Sequence, residues 1–242
     1  MSLIFEVEEM LFASVINRPS KEIKSPYLAD ILIDDKVELA HSPSLGCKGL
    51  IATDSIIFVS PKYNTKSKYS IDIVIEENDL VGVNPLYANY MVYNMINNNL
   101  IENLINMTSI KKEVTIGDSR FDIVCKKNNK KFIIEVKNVP LVDSDNIAIF
   151  PDGFRKSKNV PISPRAIKHI EELEKNVCDS TECMIIFVVQ RLNCTKFRPS
   201  DVDIFFKNAL KKAYKNGVQV KAYQVNWNDN KAYFDKELEV LL

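Results

Sequence analysis

Three ionisable residues stand at spacings that chemistry could use: Asp122 in Arg120-Phe121-Asp122, and Glu135 with Lys137 in Ile133-Ile134-Glu135-Val136-Lys137. Both stretches have strand character, and the polar Lys126-Lys127-Asn128-Asn129-Lys130-Lys131 run between them fits a hairpin turn. Side chains alternate along a strand, so Glu135 and Lys137 share a face, and Phe121, Ile123 and Cys125 share the face opposite Asp122 and Val124. The product is an acid on one strand beside an acid and a lysine on the next. An isolated buried carboxylate is costly, and a divalent metal would remove that cost. Mg²⁺, with Mn²⁺ as the substitute, takes one or two carboxylates and completes its shell with water and phosphate oxygens. Asp122 and Glu135 would supply the carboxylates and the Val136 carbonyl a third ligand. Such a metal activates water and offsets charge on a scissile phosphate, with Lys137 stabilising the transition state. Glu113, on the preceding strand, would hold a second metal or a water. The plainer alternative is a solvated E-x-K edge or a cross-strand ion pair, with Asp122 paired to Arg120 or Lys137.

Basic residues offer a second kind of chemistry. Lys62, Lys66 and Lys68 are interleaved with Tyr63 and Tyr69 in one loop, a pattern that suits a nucleic-acid strand or a solvated surface equally. Lys207, Lys211 and Lys215 recur at intervals of four, a candidate phosphate-contacting stripe on one helical face. Lys168 and His169 would also approach phosphate, although a lone His on such a helix is more often structural. Residues 153–161, with Arg155, Lys156 and Lys158, read as a basic loop.

The elements that must position these groups fall into two sets. Up to residue 82 the chain reads as about five short strands with no long helix, including Ala29–Ile33 and Lys36–Ala40 around Asp34-Asp35. That fits a small Greek-key barrel such as an OB-fold, or another five-stranded sheet. At Asn84-Pro85 the pattern turns helical, with an N-cap and a first-position proline, and continues to Asn106 with an asparagine run at 97–99 as a break. Helices are also expected from Ser163-Pro164 and, with Ser200 and Asp203 as a capping-box variant, to Asn216 before Gly217. Cys183–Val189 is a continuous apolar run, as for a strand covered on both faces. Residues 232–242 read as an unassigned tail. The domains are therefore 1–82 and 83–242, the second an α/β sandwich around a mixed sheet.

Composition sets the limits. Lys plus Arg total 32 and Asp plus Glu 32, so no global field draws the chain to nucleic acid or an anionic membrane. The five cysteines form no zinc pattern and read as reduced thiols. No run approaches the roughly 20 apolar residues of a membrane span, and the N-terminus has no signal-peptide character, so the expectation is a cytoplasmic protein.

The order RFD, IIEVKNV, FPDG, SPRAIKHIEEL, MIIFVVQR, RPSDVD and GVQVKAY resembles the sugar fermentation stimulation protein A (SfsA) family over nearly all of residues 83–225. The N-terminal match is weaker: Ser44 and Leu45 stand where the family has Asn and Thr, and Ser67-Lys68-Tyr69 where it has Arg-Lys-Tyr. Val83-Asn84 and Ala88-Asn89 match. The resemblance implies an α+β and α/β chain, an N-terminal five-stranded OB-fold-like β-barrel followed by a PD-(D/E)xK nuclease-like α/β sandwich with a mixed sheet. It assigns Asp122 to the motif acid, Glu135 and Lys137 to the E-x-K, and Glu113 to an acid before the turn. It implies DNA or RNA as partner and leaves two functions open: a metal-dependent nuclease, or a DNA-binding regulator of sugar metabolism with little catalysis. Oligomeric state stays open, a homodimer being one option.

Overall fold

The computed structural model describes residues 1–44, 47, 49–151 and 160–242. Leu45-Gly46, Asp152-Gly153 and the basic residues Arg155, Lys156 and Lys158 singled out above lie outside the described residues.

After β1 (Ser2–Glu6), five strands form a closed barrel: β2 (Leu11–Asn17), β3 (Leu28–Ile33), β4 (Lys36–His41), β5 (Ile56–Pro61) and β6 (Tyr69–Glu76). They run in the circuit β4-β3-β2-β5-β6, and a parallel pairing of Ala40 and His41 with Tyr69 and Ser70 closes it. This is the OB-fold-like barrel. Asp34 and Asp35 both take positive φ, 48° and 58°, which makes the two-residue turn between β3 and β4. Ala29, Ile31, Ala40, Ile57, Val59 and Ile71 fill the interior.

β7 (Asp79–Gly82) then leads into α1 (Pro85–Asn97). Asn84 caps α1, its side chain accepting from Leu86 N at 3.1 Å, with Pro85 in the first position. The helix stops at the asparagine run, where Asn98 is the C-cap and Asn99 takes φ 54°. A short 3₁₀ turn follows at Glu102–Leu104.

The second unit is a mixed sheet built from β8 (Thr108–Ile116), β9 (Ser119–Lys127), β10 (Lys130–Val139), β11 (Ile147–Phe150), β12 (Thr181–Val189), β13 (Lys196–Pro199), β14 (Gln219–Asn228) and β15 (Lys231–Val240). Its order is β11-β13-β15-β14-β12-β10-β9-β8, with β10, β12 and β14 parallel. α2 (Pro164–Asn176) and α3 (Ile204–Lys215) cover one face and α1 the other. β12 is apolar throughout because it serves both cores: Met184, Ile186 and Val188 face α1, while Cys183, Ile185, Phe187 and Val189 face α2 and α3.

Four expectations need correction. β1 is not part of the barrel; it pairs antiparallel with β15, and Ile4 packs in the α1-side core. Unit 1–82 therefore sends its first strand into the other sheet. The supposed tail at 232–242 is β15, a ten-residue strand. The α3 cap is Asp203, which accepts from Phe206 N at 3.2 Å and, through its other oxygen, from Ile162 N at 2.7 Å. The alternation in β9 breaks at Asp122: Ile123 and Cys125 face α1, but Phe121 joins the α2–α3 core.

The two units meet at a polar seam. Gly82 N donates to Gln190 O at 2.8 Å, Trp227 Nε1 to Gln190 Oε1 at 3.0 Å, and Gln190 Nε2 to Asn138 Oδ1 at 2.8 Å. Gly82 is required there, because a Cβ would lie 2.5 Å from Trp227 Nε1 and closer still to the fully buried Gln190 amide. On the barrel side, Asn84 Nδ2 donates to the buried Asp72 Oδ1 at 2.7 Å, tying the α1 cap to β6.

Candidate metal centre

The β9–β10 ladder ends at Ile134↔Ile123, and the next residue on each strand carries a carboxylate. Where the strands part, the Asp122 side chain replaces the missing ladder. Its Oδ2 accepts from Val136 N at 2.7 Å and its Oδ1 from Asn89 Nδ2 of α1, also at 2.7 Å. A residue's N–H and C=O point to the same edge of an extended strand, so the Val136 carbonyl faces the same gap. Glu135 lies almost wholly buried, 1% exposed. Its Oε1 accepts from Lys137 Nζ and from His169 Nδ1 of α2. Its Oε2 is buried with no hydrogen-bond partner among the described residues.

Electrostatics distinguish the two acids. Burial pushes the Asp122 carboxyl up to about 6, the neighbouring Glu135 adds to this, and Lys137 and the Val136 amide only partly oppose it. Burial pushes Glu135 up as well, but Lys137 and His169 together outweigh it and hold Glu135 below its ordinary value. Glu135 is thus the fixed anion, so the proton shared with it sits on His169 Nδ1, and Asp122 is the acid that takes up or releases a proton near neutrality.

These groups line a cleft of about 320 Å³ with Asn138, Phe150 and Arg165, the α1 residues Pro85, Leu86 and Asn89, and Ser44 from the barrel. Arg18 holds the Ser44 carbonyl at 2.6 Å, so the barrel contributes one rim. A larger hollow of about 860 Å³ opens at the other end of β10, but of its two acids, Glu102 and Glu182, the second is paired with Lys130 at 2.9 Å. The smaller cleft is therefore the candidate site.

Of the residues singled out in the sequence, Asp122, Glu135, Val136 and Lys137 come together here. Glu113 does not. It takes φ 57° in mid-strand, and its exposed carboxylate pairs with Arg120 at 2.5 Å. That pairing also removes Arg120 as a partner for Asp122. Lys168 points away, its Nζ donating to Asp118 O at 3.3 Å. Lys62, Lys66 and Lys68 stay on the barrel loop, with Lys68 bound to Glu38 at 2.7 Å. Lys207, Lys211 and Lys215 lie along α3, with Lys207 held by Asp201 at 2.5 Å. None of these lysines lines the cleft. His169, read as structural, and Asn89 and Arg165, which sequence reasoning gave no role, do belong to it. The available signal was the four-residue spacing of Arg165 and His169, which puts both on one helical face.

Residues 86–231 match the family model described as the sugar fermentation stimulation protein RE domain. The chain belongs to the SfsA family. A sugar fermentation stimulation protein homolog of Pelagibacter ubique is 31% identical over 89% of this chain and 91% of its own length. One from Thioalkalivibrio sulfidiphilus is 33% identical over 81% and 82%. The structure of Pyrococcus furiosus SfsA in complex with Ca²⁺ covers 100% of both chains with a TM-score of 0.86 at 20% identity, a likeness of fold. Among the described residues no helix of this SfsA-family chain is long and apolar enough to cross a membrane.

Proposed function

We propose that this protein is a divalent-metal-dependent phosphodiesterase acting on DNA or RNA. The observation that carries the reading is Glu135 Oε2, a buried carboxylate oxygen without a partner among the described residues, beside an Asp122 whose charge the fold disfavours. An unsatisfied buried oxygen is destabilising, and a cation held by Asp122 and Glu135 would remove the penalty for both. Two carboxylates and a carbonyl from Val136 suit Mg²⁺ or Mn²⁺. The Ca²⁺ described in the Pyrococcus furiosus relative supports a divalent cation at this fold. When bound, the ion supplies an activated water and offsets charge on the phosphate.

The chain's own residues do the rest. Asn89 and the Val136 amide aim Asp122 into the cleft, and His169 keeps Glu135 ionised and oriented. Lys137, tethered to Glu135, presents its ammonium where negative charge grows on the phosphoryl oxygens. Among the described residues Lys66, Lys211 and Lys215 have no carboxylate partner, which supports phosphate contacts away from the cleft.

The test is incubation of the purified protein with single-stranded, duplex and branched DNA and RNA, with Mg²⁺, Mn²⁺ or EDTA, beside Glu135→Gln. Metal-dependent cleavage lost in the variant is the expected result. Tight binding with no cleavage of any substrate would instead favour the regulator of sugar metabolism.

A further inference from the structure

Among the described residues, the cleft contains one cation that no acid of the protein matches. Arg165 lines it from the first turn of α2 and is exposed, and among the described residues its guanidinium makes no hydrogen bond or ion pair. The acids beside it are already engaged. Asp122 accepts from Asn89 and the Val136 amide, and Glu135 Oε1 from Lys137 and His169. The remaining oxygen of Glu135 is buried. A guanidinium pairs strongly with carboxylates where geometry allows, so one left free beside two of them is available to another anion.

Its place is set by the helix. Ala166 and Ile170 anchor α2 in the core, and His169 bonds Glu135. Arg165 lies over the same face ~6 Å nearer the helix N-terminus. Carboxylates thus form the floor, and Pro85, Leu86 and Phe150 supply apolar walls, with Leu86 60% exposed. Arg165 stands at the rim.

We propose that Arg165 clamps a phosphate of the nucleic-acid strand entering this cleft, through two N–H donors to its non-bridging oxygens. The identity of the strand rests on the phosphodiesterase reading above. Arginine suits the role because its planar fork matches two phosphate oxygens at once and stays charged.

The test is equilibrium binding of fluorescein-labelled DNA and RNA oligonucleotides in Ca²⁺ across a salt series, with cleavage followed separately in Mg²⁺. Arg165→Ala is expected to weaken binding about ten- to a hundredfold. It should also lower the log–log salt slope by about 0.7, the share of one phosphate on a single strand. Arg165→Lys restores the slope but not the full affinity. Affinity for Ca²⁺ alone and the melting temperature stay unchanged. An unaltered slope and affinity in Arg165→Ala overturn the clamp. So does a parallel fall in Ca²⁺ affinity, which would place Arg165 in service of the carboxylates. If the unaltered protein shows no salt-dependent binding, the clamp falls with the nucleic-acid reading. If it binds without cleaving and the Arg165 effect persists, the clamp stands and hydrolysis alone is overturned.

Discussion

Replacing Asp122 with Asn should stabilise the metal-free protein, and by an amount that depends on pH. The folded state raises this carboxyl from 3.8 to about 6. A raised folded-state value means that stability is full below the unfolded value and is lost as pH rises through the folded one. The loss amounts to ~0.5 kcal/mol at pH 4, ~1.5 at pH 5 and ~3 at pH 8. An amide cannot ionise and escapes it. The contacts survive in Asp122→Asn, because the new amide oxygen would accept from Val136 N, while the new amide nitrogen meets an Asn89 amide turned to present its oxygen. Losing the charged acceptor costs ~1 kcal/mol. The net gain at pH 8 is therefore ~2 kcal/mol, a rise of about 4–8 °C in melting temperature, vanishing between pH 4 and 5. Circular-dichroism melts in EDTA across that range measure it. Ca²⁺ or Mn²⁺ should then raise the wild-type melting temperature and leave the variant's unchanged. A variant that melts below wild type at pH 8, or differs from it equally at every pH, would refute the burial argument and support a structural ion pair.

Three further outcomes are expected. Lys137→Ala should lower single-turnover cleavage by about 10²–10³ while leaving oligonucleotide affinity nearly intact; equal losses in both would make the lysine a mere phosphate contact. Gly82→Ala forces a methyl group into the Gln190–Trp227 contact. It should destabilise by about 2–3 kcal/mol in denaturant titration, and an unchanged midpoint would mean the seam yields freely. Cys178 is exposed, and hydrogen bonds from Ser180 and Thr181 bring its thiol down to about 7, whereas burial pushes Cys125 and Cys183 up to about 12 and Cys194 to about 11. Iodoacetamide at pH 7.5 should accordingly modify Cys178 first, as read by peptide mass spectrometry, and rapid labelling of Cys125 would contradict the burial described.

What could be read from the sequence has local causes. Asn84-Pro85 starts a helix because the cap bond and the proline φ involve neighbours only. Asp34-Asp35 makes a turn for the same reason, and the unbroken apolar run of β12 reports two covered faces wherever the strand lies. Asp122 and the Glu135–Lys137 pair were legible because a hairpin joins their strands and period two puts Glu135 and Lys137 on one face. Tertiary structure decided the rest. β1 finds its partner in β15, more than 220 residues away, and nothing in either segment names the other. Glu113 had the right residue type and strand, yet a positive φ and Arg120 take it out of the cluster. His169, Asn89 and Arg165 are ordinary helix residues until α1 and α2 pack on opposite faces of the sheet above the point where β9 and β10 separate. A side chain's chemistry depends on the charges and dielectric around it, and here those are set by residues that chain order keeps far apart.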